Sequence, residues 1–246
     1  MPAELVWTLL GALVGAAGGL VGPQVLARLP DRSAQPEEDE DLAPEQVHAL
    51  DPTYRELAAW PPLRAVLAPT GAVVGGLLGW ARAGEPDLPA FLVLGVVGVL
   101  LGYVDIRVHR LPDLLTLPSL LVGAVLLGLT ALTERYDAGD LLRAGAGALA
   151  LFAFYLVLHL LNPRGMGRGD VKLAAPLGLH LAWLGWGQLV LGAFLGFLLG
   201  GLVGAALILL RRAGLKSMLP FGPSMLVGAL VAVVWGEPLV DAYLGR

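Results

Sequence analysis

Two acidic residues stand where an otherwise apolar chain is interrupted. Asp105 follows directly on the apolar run from Leu88 to Val104, and Asp170 lies in Arg164-Gly165-Met166-Gly167-Arg168-Gly169-Asp170-Val171-Lys172, between apolar stretches at Leu141 to Leu161 and Leu173 to Leu210. An ionisable group beside hydrocarbon is costly, and by default it marks a working site. Two carboxyls that share a site can do what one cannot. Like charges close together do not both ionise easily, so the pair holds a single proton between them. The ionised member can then take a proton from water while the protonated member polarises a peptide carbonyl, with no covalent intermediate. Taken singly, each acid also reads as an interfacial residue, Asp105 paired with Arg107 or Arg110 and Asp170 held by Arg168 or Lys172. Whether the two meet depends on helix packing, which the sequence does not show. Gly165, Gly167 and Gly169 are expected to supply positive φ and close backbone approach, bending the chain so that Asp170 is presented at a set angle.

The elements that must position these acids are set by composition. Of the 246 residues, 57% are hydrophobic and 15% charged, with mean hydropathy +0.75. That is greasier than a soluble core needs, and the charge is well below the usual quarter. The chain reads as an all-α, polytopic membrane helix bundle. Net charge is -4, and the one dense acidic run is Glu37 to Asp41. No basic block exists to follow a phosphate backbone, so nucleic acid is not an expected partner. The chain has no cysteine, which excludes disulfides, thiol catalysis and any Cys-ligated zinc.

About eight transmembrane helices are predicted: Leu5 to Leu29, Leu63 to Trp80, Leu88 to Val104, about Leu114 to Leu132, Leu141 to Leu161, the short Leu173 to Trp186, Leu189 to Leu210, and Met218 to Trp235. Glu4 stands where a signal peptide would carry basic residues, so the first run reads as an uncleaved helix. Between Pro30 and Pro62 lies one sizeable extramembrane segment, in which a short surface helix is expected after Ala43. Gly84-Glu85-Pro86-Asp87 reads as a tight turn. Gly192, Gly196, Gly200 and Gly204 recur every four residues and form a ridge for close helix packing.

Orientation follows from Arg and Lys. With the N-terminus outside, the inner side holds Arg28, Arg32, Arg55, Arg64, Arg107, Arg110, Arg164, Arg168, Lys172, Arg211, Arg212 and Lys216, and the outer side Arg82, Arg135, Arg143 and Arg246. Asp105 and Asp170 then both lie at the cytoplasmic side.

Gly167-Arg168-Gly169-Asp170 followed by Val171-Lys172-Leu173 resembles the GxGD motif of the type IV prepilin peptidases, which are intramembrane aspartyl proteases. The resemblance extends to Asp105 with Leu111-Pro112-Asp113-Leu114-Leu115-Thr116-Leu117-Pro118, and to Leu219-Pro220-Phe221-Gly222-Pro223, all in family order over roughly Leu88 to Tyr243. It implies that Asp105 and Asp170 are the catalytic pair, supported by Gly167, Gly169, Lys172 and Asp113. It also implies removal of a short basic leader from prepilins or pseudopilins after a glycine. The substrate helix would stay in a bacterial or archaeal cytoplasmic membrane while its leader lies in the cytoplasm, which agrees with the charge-derived orientation.

The N-terminal third departs from the longer family members. Those carry a GSFLNVVIYRLP-like stretch and two CxxC pairs, and they methylate the new N-terminus with S-adenosylmethionine. Here the stretch reads Gly22-Pro23-Gln24-Val25-Leu26-Ala27-Arg28-Leu29-Pro30, and the acidic run replaces the expected metal-binding loop. The expected division is therefore 1–85, a degenerate methyltransferase-like region, and 86–246, a GxGD peptidase bundle, with no metal and no cofactor.

Asp105, His109 and Asp113 have helical spacing for a metal, but Pro112 is expected to break that helix, leaving Asp113 as a helix N-cap or support residue. Lys172 is expected to pair with Asp170, and His159 and His180 to be packing residues. A proton- or cation-coupled transporter using the same two acids is the competing reading. The order of the motifs and the lack of a paired repeat favour the protease. A catalytically dead scaffold for pilus assembly is the third reading.

Overall fold

A computed structural model describes residues 2–30, 52–163, 165–210 and 220–245. The expectations placed on Arg32, Glu37 to Asp41, the stretch just after Ala43, Arg164, Arg211, Arg212, Lys216, Leu219 and Arg246 fall outside these residues. The described chain is helical: α1 (Ala3–Ala27), α2 (Tyr54–Ala58), α3 (Leu63–Ala81), α4 (Leu88–Val108), α5 (Asp113–Thr130), α6 (Ala138–Leu161), α7 (Arg168–Leu184), α8 (Trp186–Leu209) and α9 (Gly222–Leu244). Seven of these, all but α2 and α7, are long and apolar enough to cross a membrane. This is a polytopic helical membrane bundle. Only closed backbone bonding is viable in lipid, and helices achieve it within one segment.

Helix starts carry local signals. Asp137 and Asp140 form a reciprocal capping box at α6, and Thr53 and Glu56 do the same at α2. Large apolar side chains such as Leu13, Leu121, Leu142 and Phe194 point outward, the inverse of a soluble fold, because lipid is the solvent on this surface.

Small residues set the closest contacts. A Cβ on Gly11, Gly15 or Gly19 of α1 would collide with backbone of α3 at Gly75, Gly71 and Leu67 respectively, so these two helices touch main chain to main chain. The α8 ridge works in the same way: a Cβ on Gly196 would lie 3.3 Å from Met225 Cα of α9, and Phe221 fills the space beside Gly200.

Helix α7 is the most enclosed element, with Leu173, Ala174, Pro176 to Trp183 and Asp170 all buried. It begins at Arg168 rather than Leu173, so Asp170 lies in a first helical turn and not in a loop. At 17 residues, with three charges in its first turns, α7 falls short of a spanning pattern. Nevertheless it runs antiparallel to α4 over that helix's whole length. Trp183, near its C-terminus, bonds Asp87 at the start of α4, and Asp170 faces the end of α4 that carries Asp105. The positive φ expected at Gly165, Gly167 and Gly169 is absent; among described glycines only Gly84, Gly185 and Gly245 adopt it.

Candidate active site

Asp105 occupies the last turn of α4 and is 4% exposed. Its Oδ2 accepts a hydrogen bond from the backbone N–H of Gly222 at 3.0 Å. Gly222 is the first residue of α9, so this carboxylate meets the unsatisfied N–H groups of a helix start. Asp170 is the third residue of α7, is 7% exposed, and accepts the Gly167 N–H at 3.2 Å. The two carboxyls are near enough to interact electrostatically. They come together because α4 ends where α7 begins.

Glycines make this approach feasible by the room they leave, not by unusual torsions. A Cβ on Gly169 would sit 3.0 Å from Leu111 Cβ, and one on Gly222 would sit 2.7 Å from Asp105 Oδ2 and 3.4 Å from Leu111 Cδ1. Leu111 is thus wedged between Gly169 and Gly222, and it ties the α4–α5 connection to both acids' supports. At the head of that connection, His109 closes α4 with φ 53 and donates its N–H to the Asp105 carbonyl at 2.8 Å. A non-glycine residue in this region is uncommon and stores local strain.

Neither acid forms a salt bridge among the described residues, and His109, at the end of α4, interacts with Asp105 electrostatically. Lys172 does not hold Asp170. Its Nζ bonds both oxygens of Asp113, at 2.7 and 2.9 Å, pinning α7 to the start of α5 on the surface of the site. Asp113 is not an N-cap either, because Pro112 fills that position and the Asp113 side chain makes no capping bond. Arg107 lies over the Trp60 ring, 5.5 Å from its centroid. The helix break expected at Pro112 is present, since α4 stops at Val108, and no three His, Asp or Glu side chains converge among the described residues.

The histidines have packing roles in this geometry. His159 Nδ1 lies 2.8 Å from the Met166 carbonyl, tying the end of α6 to the glycine-rich turn. His180 is fully buried, with ring nitrogens 2.8 Å from the Pro176 carbonyl and 3.3 Å from the Ala90 carbonyl.

Two partners in the site have no signal in hydropathy. The Gly222 N–H depends on where α9 starts, and Tyr155 looks like one more aromatic in an apolar run. Tyr155 is 1% exposed and interacts electrostatically with Asp170. A polar hydroxyl one turn before His159 is the only trace that sequence offers. The arrangement of two enclosed acids, each on one backbone donor and without a salt bridge among the described residues, can hold one proton between them and act as a paired acid and base.

Residues 91–205 match the model of the Type IV leader peptidase family. The prepilin leader peptidase/N-methyltransferase of Aeromonas hydrophila is 39% identical over 156 residues, covering 63% of this chain and 52% of that protein. Those of Stutzerimonas stutzeri and Pseudomonas aeruginosa are 31% and 32% identical, each over 70% of this chain and 58% of the relative. The chain therefore spans about half the length of the curated relatives it matches. No solved structure matches it. From Phe91 in α4 to Ala205 in α8, the stretch that holds both acids, this chain is similar to the type IV leader peptidase family.

Proposed function

We propose that this protein is an intramembrane aspartyl endopeptidase that removes the leader of type IV prepilins or pseudopilins after a glycine. The observation that carries the reading is the meeting of Asp105 and Asp170, two buried acids without a salt bridge among the described residues, at one end of the bundle. In the reaction, the ionised acid takes a proton from water as the water attacks the scissile carbonyl, and the protonated acid gives its proton to the carbonyl oxygen. Collapse of the tetrahedral intermediate breaks the C–N bond: the first acid passes its proton to the departing amine while the second takes one back from a hydroxyl of the intermediate, which restores the pair. The Gly222 and Gly167 N–H groups hold the two carboxyls in place through this exchange.

The substrate class is supported by the names of the relatives, which are prepilin leader peptidases. The acids face the cytoplasm in this reading. Arg28, Arg55, Arg64, Arg107, Arg110, Arg168 and Lys172 lie toward their end, against Arg82, Arg135 and Arg143 at the other, and a surplus of basic residues marks the cytoplasmic side. The membrane would be the cytoplasmic (inner) one, with the substrate's apolar helix in the bilayer and its leader in the cytoplasm. Residues 86–246 carry the chemistry, and 1–85 is a degenerate counterpart of a methyltransferase region. With no cysteine in the chain, a Cys-ligated zinc has nothing to bind it, and no step is assigned to zinc or to methyl transfer.

The test is to reconstitute the protein in liposomes with a prepilin and sequence the product's N-terminus. Release of the leader with a cut after glycine is expected. An intact precursor, across several prepilins, with proton or cation flux instead, would replace this reading with a transporter.

A further inference from the structure

Tyr155 is held by aromatic rings from three elements. Its ring stacks on Phe197 of α8 at 5.3 Å and lies 6.2 Å from Phe221, which in turn is 5.1 Å from Phe197. Phe221 immediately precedes Gly222, the donor to Asp105. The rings therefore form a wall beside the start of α9 that holds Asp105, and Tyr155, the member of that wall that carries a hydroxyl, interacts electrostatically with Asp170. That hydroxyl makes no hydrogen bond among the described residues although the side chain is 1% exposed. Leaving a buried donor unpaired is unfavourable, and a phenylalanine would pack the wall equally well. The hydroxyl needs a partner that appears in some other state of the site.

We propose that Tyr155 is a positioning residue of the site, whose phenol O–H closes onto the Asp170 carboxylate whenever that acid is ionised. Catalytic hydrogen bonds are often long in a free enzyme and tighten in the working state, and a donor that meets only the charged form fixes the orientation from which Asp170 acts on water. The surroundings leave it this task. Among the described residues, Asp105 from α4 and Tyr155 from α6 are the ionisable side chains that interact with Asp170, while Lys172 of α7 is bound to Asp113 at the start of α5. From α6, His159 is engaged by the Met166 carbonyl, which leaves Tyr155. The inference rests on the aspartyl peptidase reading, and it adds a residue that the GxGD motif does not contain.

Tyr155→Phe keeps the ring and removes only the hydroxyl. With a prepilin that the wild type cleaves, the variant is expected to lose roughly ten- to a hundredfold in kcat, the effect of removing one hydrogen bond to a charged group, with KM and the thermal midpoint unchanged. Wild-type kcat in the variant, or a fall in kcat matched by a fall in thermal midpoint, would overturn the assignment and leave Tyr155 a packing residue. A second measurement needs no cleavage. In infrared spectra taken across pH, the carboxylate band that vanishes in Asp170→Asn is expected to shift in Tyr155→Phe. A band that stays in place overturns the proposal even where the peptidase reading itself has failed.

Discussion

Asp87 and Asp105 sit at opposite ends of one helix, and their surroundings differ as much as two buried acids can. Asp87, at the start of α4, is 0% exposed and surrounded by donors. Arg82 reaches both its oxygens, at 3.0 and 2.5 Å, Trp183 Nε1 donates at 2.9 Å, and the Tyr136 hydroxyl lies at 3.2 Å. Burial, and next the charge of Asp87, push the Tyr136 hydroxyl above its usual range, so it stays a donor. Arg135 and Glu85 extend the cluster outward. Asp105 and Asp170, at the other end, have one backbone N–H each and one another, with His109 beside Asp105 and Tyr155 beside Asp170 at electrostatic range and no salt bridge among the described residues. A buried carboxylate gripped by a bidentate arginine serves the fold, whereas buried carboxyls with few donors are open to chemistry. The same helix is clamped at one end and poised at the other.

This contrast can be broken by substitution. The largest effect is expected from Asp105→Asn or Asp170→Asn, each lowering cleavage by roughly 10²- to 10⁴-fold, the range for loss of a general acid or base. In the proposed reaction the acids work as a unit, so the double variant is expected to cleave no more slowly than the worse single one. Multiplying losses in the double variant would separate them into independent sites.

Asp87→Ala leaves the Arg82 guanidinium without its carboxylate, and breaking a buried pair costs about 3–5 kcal/mol. Thermal unfolding in detergent is expected to show that loss, while kcat in the surviving folded protein stays near wild type. Gly222→Ala sharpens the comparison at the other end. Its Cβ would crowd Asp105 Oδ2, and relief of such overpacking typically costs about 1–3 kcal/mol, read here mainly as reduced cleavage because Asp105 must turn away. The smallest effect is expected for Lys172→Met. The Lys172–Asp113 pair is about one-third exposed on both sides, and such pairs contribute about 0–1 kcal/mol, so thermal midpoint and cleavage should both move little. A severe loss of activity in this variant would restore Lys172 to a direct role beside Asp170.

The apolar runs made the bundle legible because lipid imposes one requirement on every spanning helix. Leu63 to Trp80 and Leu141 to Leu161 match α3 and α6 within a few residues. The start of α7 was less legible. Hydropathy places it after Lys172, but the Asp170 side chain caps the Gly167 N–H and draws the polar residues into the first turn. Lys172 finds Asp113, a partner 59 residues away, where sequence proximity suggests Asp170. Asp87 reads as part of a turn, since Tyr136 and Trp183 reach it only once α4, α5 and α7 have packed. The two acids stood out because charge in apolar sequence is a local signal. The donors that decide what each acid does came from other helices, so they had no such signal.

The most direct measurement compares Asp87→Asn, Asp105→Asn and Asp170→Asn in the same membranes for both prepilin cleavage and thermal midpoint. The expected result is a crossover. Asp105→Asn and Asp170→Asn abolish cleavage and leave the midpoint unchanged or raised, because a buried carboxyl with little support has been neutralised. Asp87→Asn lowers the midpoint and spares cleavage. If Asp105→Asn and Asp170→Asn cleave like wild type, or if they unfold while Asp87→Asn inactivates without destabilising, the division between a clamped end and a catalytic end is contradicted.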